Sequence, residues 1–171
     1  MDDSGLTCLD FATMASATGD VGVAWSDEGM ERIWFCEAEY DFGIPDKWTR
    51  RSAVPAAART QLSAYFAGDL QTFDLPLVPR GTPFQLSVWD ALCRIPYGTT
   101  ASYGQIAAGL GQPGASRAVG GANHCNRLPV VIPCHRVVAA NGALGGYAGG
   151  VRFKRFLLDL ELRGSFGRAP A

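Results

Sequence analysis

Cys134 and His135 stand side by side in the stretch VVIPCHRVV, residues 130–138, and no other pair in the chain is better suited to nucleophilic chemistry. A free thiol titrates near ~8.5, so only a few per cent is thiolate at neutral pH unless a neighbour takes its proton or stabilises its charge. His135 is the obvious base. Consecutive residues of an extended chain point to opposite faces, however, so a direct hydrogen bond between the two is strained. Two arrangements resolve this: a sharp turn at Pro133, or a water between thiol and imidazole.

An imidazole base needs an orienting partner, usually a carboxylate. Residues 81–171 contain three acids, Asp90, Asp159 and Glu161. In VRFKRFLLDLELRG, Phe153, Phe156, Leu157 and Leu160 recur at helical spacing. Glu161 falls about 40 degrees from Leu157 on that wheel, beside the apolar stripe, whereas Asp159 falls on the other side. Glu161 is therefore the expected partner. The pairs His124-Cys125 and Cys134-His135 are four metal ligands by type, but adjacent residues seldom reach one ion together and the spacing matches no common zinc site, so no metal is expected. The flanking signature of a papain-like protease is missing.

The elements that must position these residues divide into two groups. LTCLDFATM, VGVAW and MERIWFCE alternate as strands of a small antiparallel sheet. VPAAARTQLSAYFAG reads as a helix, with Leu62, Tyr65 and Phe66 on one face and Gly68 as its stop. The proline-rich FDLPLVPRGTP is a connector, which places a boundary at residue 80 between an N-terminal α/β domain, 1–80, and a mainly helical C-terminal domain, 81–171. In the second part TPFQ and SYGQ both carry capping boxes, Thr82 with Gln85 and Ser102 with Gln105. YGQIAAGL and SRAVGGANH, joined by GQPGA, describe either a helix-turn-helix or an ordinary helical hairpin. PVVIPC reads as a short extended run, ANGALGGYAGG as a glycine-rich loop, and the last helix as closing at Gly164. The fold class is α/β (α+β).

Hydrophobic residues make up 47% of the 171 residues and no window approaches the ~18 apolar residues of a membrane span. The acidic start MDDSGLTCLDF lacks the features of a secretory signal, and five scattered cysteines without a CxxC pair fit a reducing compartment; together they point to the cytoplasm. The net charge of −1 conceals a split: residues 1–80 hold 6 Lys/Arg against 13 Asp/Glu, and residues 81–171 hold 9 against 3. Either the basic half meets an anionic partner such as nucleic acid, or the two halves attract each other.

Taken together, PCHRV at 133–137 and the ordered blocks GTPFQ, VWDAL, IPYG, SYGQIA, SRAVGGA and GGYAGG resemble the O6-alkylguanine-DNA alkyltransferases. The likeness spans residues 81–164, and RTQLSAYFAGDLQTFDLPL carries it into the first half. It implies that Cys134 takes the alkyl group from guanine O6 and keeps it as a thioether, once per molecule and without a cofactor. By the same resemblance, His135 accepts the thiol proton through a water, Glu161 orients the imidazole and Asn126 supports the turn holding Cys134. Tyr103 would donate to the purine ring and press on the phosphate as the nucleotide rotates out. Arg117 would fill the gap left in the stack, with Ser102, Ala118, Gly120, Asn123 and Arg136 as further DNA contacts. Val137, Gly145, Tyr147 and Ala148 would line the base pocket. The implied partner is duplex DNA carrying O6-alkylguanine, met by a monomer. Arg127 departs from the pattern, standing where the family commonly has proline, and Ala148 stands where some relatives have serine. Some members carry zinc in the first half, but here that half has no histidine. The other reading is a module that recognises alkylated guanine without reacting; Cys134 beside His135, with Glu161 available, separates the two.

Overall fold

The alternating segments near the N-terminus become β1 (Asp10–Ser16), β2 (Gly19–Ser26) and β3 (Gly29–Phe35) in the computed structural model, which describes residues 8–37, 43–147 and 149–166. The three strands are antiparallel. A two-residue β4 (Thr49–Arg50), not foreseen from the sequence, joins β1 in parallel to give the order β3-β2-β1-β4. One face contributes Ala12, Val21, Val23, Ile33 and Phe35 to the main core; the other buries Leu9, Phe11, Ala24 and Trp48 in a small aromatic cluster. Helix α1 (Ala56–Ala67) lays Leu62, Tyr65 and Phe66 into that main core and ends at Gly68, whose φ of 82° is the left-handed geometry of a helix stop.

An open sheet edge presents unpaired backbone groups. Here β3 is closed by two later segments. Met30 N–H donates to the Pro76 carbonyl (2.8 Å), Val78 N–H to the Met30 carbonyl (2.9 Å), and Ile33 N–H to the Arg127 carbonyl (2.8 Å). Beside them the Arg80 guanidinium forks onto buried Glu31 at 2.7 and 3.0 Å. Burial alone would raise the Glu31 pKa, but the Arg80 hydrogen bonds, one from Ser26 and the charges of Arg80 and Arg127 hold it below the ordinary value. Arg127, the departure from the family's proline, thus ties its loop to β3 by backbone and charge.

In the second half come α2 (Pro83–Cys93), β5 (Ala101–Ser102), α3 (Tyr103–Gly109), α4 (Ser116–His124), a 3-10 turn (Cys134–Arg136), β6 (Val137–Val138) and α5 (Val151–Phe166). Both expected capping boxes are formed, each by reciprocal bonds between the cap and the third helical residue. Trp89 Nε1 donates to the Ala122 carbonyl at 2.9 Å and locks α2 to α4. The parallel ladder Ala101–Val137 and Ser102–Val138 fixes the start of α3 to the segment just after Cys134.

Two expectations are corrected. PVVIPC is buried but not extended. The Asn126 side chain accepts from Leu128 N–H (2.9 Å) and donates to the Ile132 carbonyl (2.9 Å), while Ile132 N–H bonds the Leu128 carbonyl (2.8 Å), so local bonds replace a strand ladder. Val130 is thereby held at φ 77°, a costly conformation for a β-branched residue. Nor does α5 stop at Gly164; it runs on to Phe166, and a Cβ at Gly164 would lie 2.8 Å from the Tyr97 hydroxyl, so this glycine serves a close approach rather than a stop.

Replacing Arg80 by Ala should leave the Glu31 carboxylate buried without its main partner and lower stability by about 1–3 kcal/mol in urea denaturation at neutral pH.

Candidate active site

Pro133 resolves the steric difficulty posed by adjacent Cys134 and His135. At φ −82° and ψ 61° it forms an inverse γ-turn, closed by Cys134 N–H on the Ile132 carbonyl at 2.8 Å, and the chain enters the 3-10 turn directly. The thiol and the imidazole are hydrogen-bonded to different partners, Asn126 and Glu161, and not to each other. Asn126 Nδ2 donates to Cys134 Sγ at 3.1 Å, so the residue that shapes the loop also holds the sulfur.

The His135 ring is completely buried, and its Nε2 lies 2.8 Å from Glu161 Oε1. An ionised carboxylate can only accept, which places the proton on Nε2 and leaves Nδ1 with a free lone pair. Among the described residues Nδ1 has no hydrogen-bond partner. Glu161 is also fully buried and receives, besides His135, the Tyr65 hydroxyl (2.6 Å), Gly98 N–H (3.0 Å), and Arg136 through Nε (2.9 Å to Oε2) and Nη2 (2.9 Å to Oε1). Burial alone would raise its pKa; the hydrogen bonds and charges of His135 and Arg136 more than offset this and bring it to about 2. Glu161 is therefore a fixed anion.

Burial pushes the Cys134 thiol up to about 11, against the smaller opposing effects of Asn126 and the Lys154 charge. Desolvation lowers the His135 pKa, opposed by the hydrogen bond and charge of Glu161. At rest the pair is thus a neutral thiol beside a neutral imidazole, with the free nitrogen available as a base. Such a pair can serve a nucleophile that is deprotonated during a reaction, rather than one held as a standing thiolate.

The remaining expected residues fall into three groups. Ser102, Arg117, Ala118, Gly120 and Asn123 lie on or at the start of α3 and α4, with Arg117 and Ala118 exposed. Tyr103 opens α3 between that face and the thiol: a Cβ built on Gly145 would sit 2.7 Å from its hydroxyl, and one on Gly120 would sit 3.8 Å from its ring. Tyr147 packs near Phe35 of β3, 6.2 Å between ring centroids, while Val137 is buried; Ala148 lies outside the described residues. Arg136 is a correction. Expected on the DNA face, it is turned inward, paired with Glu161 and with Nη1 on the Ile95 carbonyl at 2.6 Å.

Sequence reasoning passed over Tyr65, Gly98 and Lys154. Tyr65 was read only as part of an apolar face. Lys154, 1% exposed with Nζ on the Val137 carbonyl at 2.6 Å, had a visible signal: with Leu157 and Glu161 it makes a stripe spaced three and four apart, putting a charge on the buried side of the helix. Among the described residues no group of three His, Cys, Asp or Glu is gathered as a metal site would need, and no helix is long and apolar enough to cross a membrane.

Fold and site together define an α/β protein with a buried cysteine next to a hydrogen-bonded His–Glu pair, beside the two short helices α3 and α4. Residues 83–163 match the family model described as 6-O-methylguanine DNA methyltransferase, DNA binding domain, and residues 9–79 match the ribonuclease-like domain of the same family; the chain belongs to that family. A methylated-DNA–protein-cysteine methyltransferase of Methanosarcina acetivorans is 47% identical over 151 residues, covering 88% of this chain and 97% of the relative. One from Mycobacterium bovis is 44% identical over 165 residues, covering 95% and 96%. The crystal structure of Mycobacterium tuberculosis OGT in complex with DNA superposes with a TM-score of 0.85 at 44% identity, over 91% of this chain and 94% of that one.

Glu161→Gln should cost about 3–5 kcal/mol at neutral pH, since it leaves Arg136 buried without its counter-charge. The folded-state pKa of Glu161 lies below its ordinary 4.5, so this stabilisation is fully present above that pH and is lost as pH falls through about 2. Denaturation curves of variant and wild type should therefore converge in strong acid.

Proposed function

We propose that this protein repairs DNA by taking the alkyl group from O6-alkylguanine onto Cys134, irreversibly and once per molecule. The single observation that carries this reading is the buried Cys134 thiol, held by Asn126, beside a neutral His135 whose Nε2 is locked on Glu161 and whose Nδ1 is free.

The target oxygen is inaccessible within a duplex, so the nucleotide must be rotated out at a cost of a few kcal/mol. The exposed helical pair α3–α4 acts as a helix-turn-helix on the duplex, Arg117 fills the gap, and Tyr103, at the junction of helix and pocket, guides the nucleotide inward. In the pocket Sγ attacks the alkyl carbon. The C–S bond forms as the C–O6 bond breaks, the thiol proton passes through a water to Nδ1, and Glu161 stabilises the resulting imidazolium. The electron pair leaves with the purine, whose developing charge is stabilised by a hydrogen bond that the Tyr103 hydroxyl donates to a ring nitrogen and balanced by the imidazolium. The Val137 carbonyl and the backbone near Gly145, Tyr147 and Ala148 receive the base.

A thioether is a poor leaving group, so nothing in the site regenerates the thiol, and the scheme calls for no cofactor and no metal. The division of labour follows the chain: residues 1–80 brace the site and residues 81–171 carry DNA binding and alkyl transfer. A monomer acting on DNA in the cytoplasm accords with this scheme. Recognition without reaction would leave the Asn126–Cys134–His135–Glu161 arrangement without a task.

Incubation with a duplex containing O6-methylguanine should add one methyl group to the peptide spanning Cys134, read by mass spectrometry; an unmodified Cys134 sinks the proposal. Arg117→Ala should slow repair of the duplex at least about tenfold while leaving reaction with free O6-alkylguanine base nearly unchanged, because an intercalating side chain offsets part of the unstacking cost of a few kcal/mol. Equal losses on both substrates would remove Arg117 from the flipping step.

A further inference from the structure

Tyr65 belongs to α1, in the first half of the chain, yet its hydroxyl lies inside the relay. It donates to Glu161 Oε1 at 2.6 Å, across 96 positions of sequence, and stands 3.3 Å from His135 Nε2. The ring has no freedom to leave. It is fully buried, with Phe73, Phe66 and Tyr97 around it at centroid distances of 5.2, 5.7 and 6.2 Å. Burial, and then the neighbouring Glu161 charge, push its pKa well above 10, so at every working pH it is a neutral donor that neither gives up nor takes a proton.

Nε2 carries a single proton, and Glu161 at 2.8 Å is the closer acceptor. Tyr65 therefore acts on His135 through the carboxylate. A donor held against one oxygen of a carboxylate reduces the negative charge which that oxygen offers to a second donor, and so weakens its pull towards an imidazolium. The other charged or titratable groups facing this centre are Arg136 and Cys134 in the same turn, Lys154 on α5, Tyr97 in the loop after α2 and Tyr147 in the glycine-rich loop. Of these, Arg136 also donates to Oε1, through Nη2 at 2.9 Å, and so shares that oxygen with Tyr65 and His135.

We propose that Tyr65 is a positioning residue of the relay: its hydroxyl, donated to Glu161 Oε1, restrains that carboxylate's pull on His135 and so keeps the imidazole neutral with Nδ1 free. The first half of the chain is thereby a functional part of the alkyl-acceptor centre. This inference rests on the proposed role of His135 as the base.

The chain has only two histidines, and His124 is exposed, so nitrogen NMR of labelled imidazoles reads His135 with an internal control. In Tyr65→Phe the His135 titration midpoint should rise by roughly half to one pH unit while His124 stays in place. The acid limb of the transfer rate should move the same way, with affinity for unmodified duplex unchanged. Should the phenylalanine variant fail to fold, a fluorinated tyrosine at position 65, whose hydroxyl is a stronger donor, should move both readouts in the opposite direction. An unmoved His135 midpoint in either folded variant overturns the role of Tyr65. Because the NMR needs no reaction, a wild type that leaves Cys134 unalkylated would count against the proposed function instead.

Discussion

A carboxylate with no access to water is the constraint on which this structure depends. Burying an ionised group costs several kcal/mol, and the cost is offset only if the remaining lone pairs are satisfied in good geometry. Glu161 meets that condition with four donor residues from three places in the chain: Tyr65 on α1, the Gly98 amide, and His135 and Arg136 in the 3-10 turn, all converging on α5. Each of those segments is consequently fixed relative to the others. The ring of His135 has one orientation because its proton has one acceptor, and Arg136 is drawn inward because the same anion needs a full counter-charge.

The rest of the site follows from that arrangement. With Glu161 held ionised down to about pH 2, it can orient and stabilise but not exchange protons, which leaves the thiol, the imidazole and the substrate as the only moving parts. The thiol is buried where its charged form is disfavoured, and the groups that oppose this, Asn126 and Lys154, are both anchored through backbone carbonyls, at Ile132 and Val137. The N-terminal sheet supports the same region from outside: its β3 edge accepts the loop after α4 through Ile33 and Arg127, and Phe35 stacks on Phe153 at 4.5 Å and packs beside Tyr147.

Much of this was legible in the sequence where local chemistry decides the outcome. The capping boxes at Thr82 and Ser102, the stop at Gly68 and the face of α5 carrying Glu161 each depend on residues within a turn or two, and each is formed as expected. The misreadings arose where a distant or side-chain bond overrides pattern. VVIPC has the composition of a strand, but Asn126 bonds both ends of the loop and turns it. Gly164 resembles a helix stop but accommodates Tyr97. Arg136 looked like a surface cation because its partner lies 25 residues away, and Tyr65 looked purely apolar because nothing in its own helix indicates where its hydroxyl goes.

The central claim is that the nucleophile is stored as a thiol and becomes a thiolate only as the alkyl group is transferred. The most direct measurement is a pH titration of the Cys134 Cβ resonance in protein carrying 13C-labelled cysteine. A thiol shift that persists unchanged from neutral pH to beyond the range in which a free cysteine titrates is the predicted result; a thiolate shift already present at neutral pH would contradict the account.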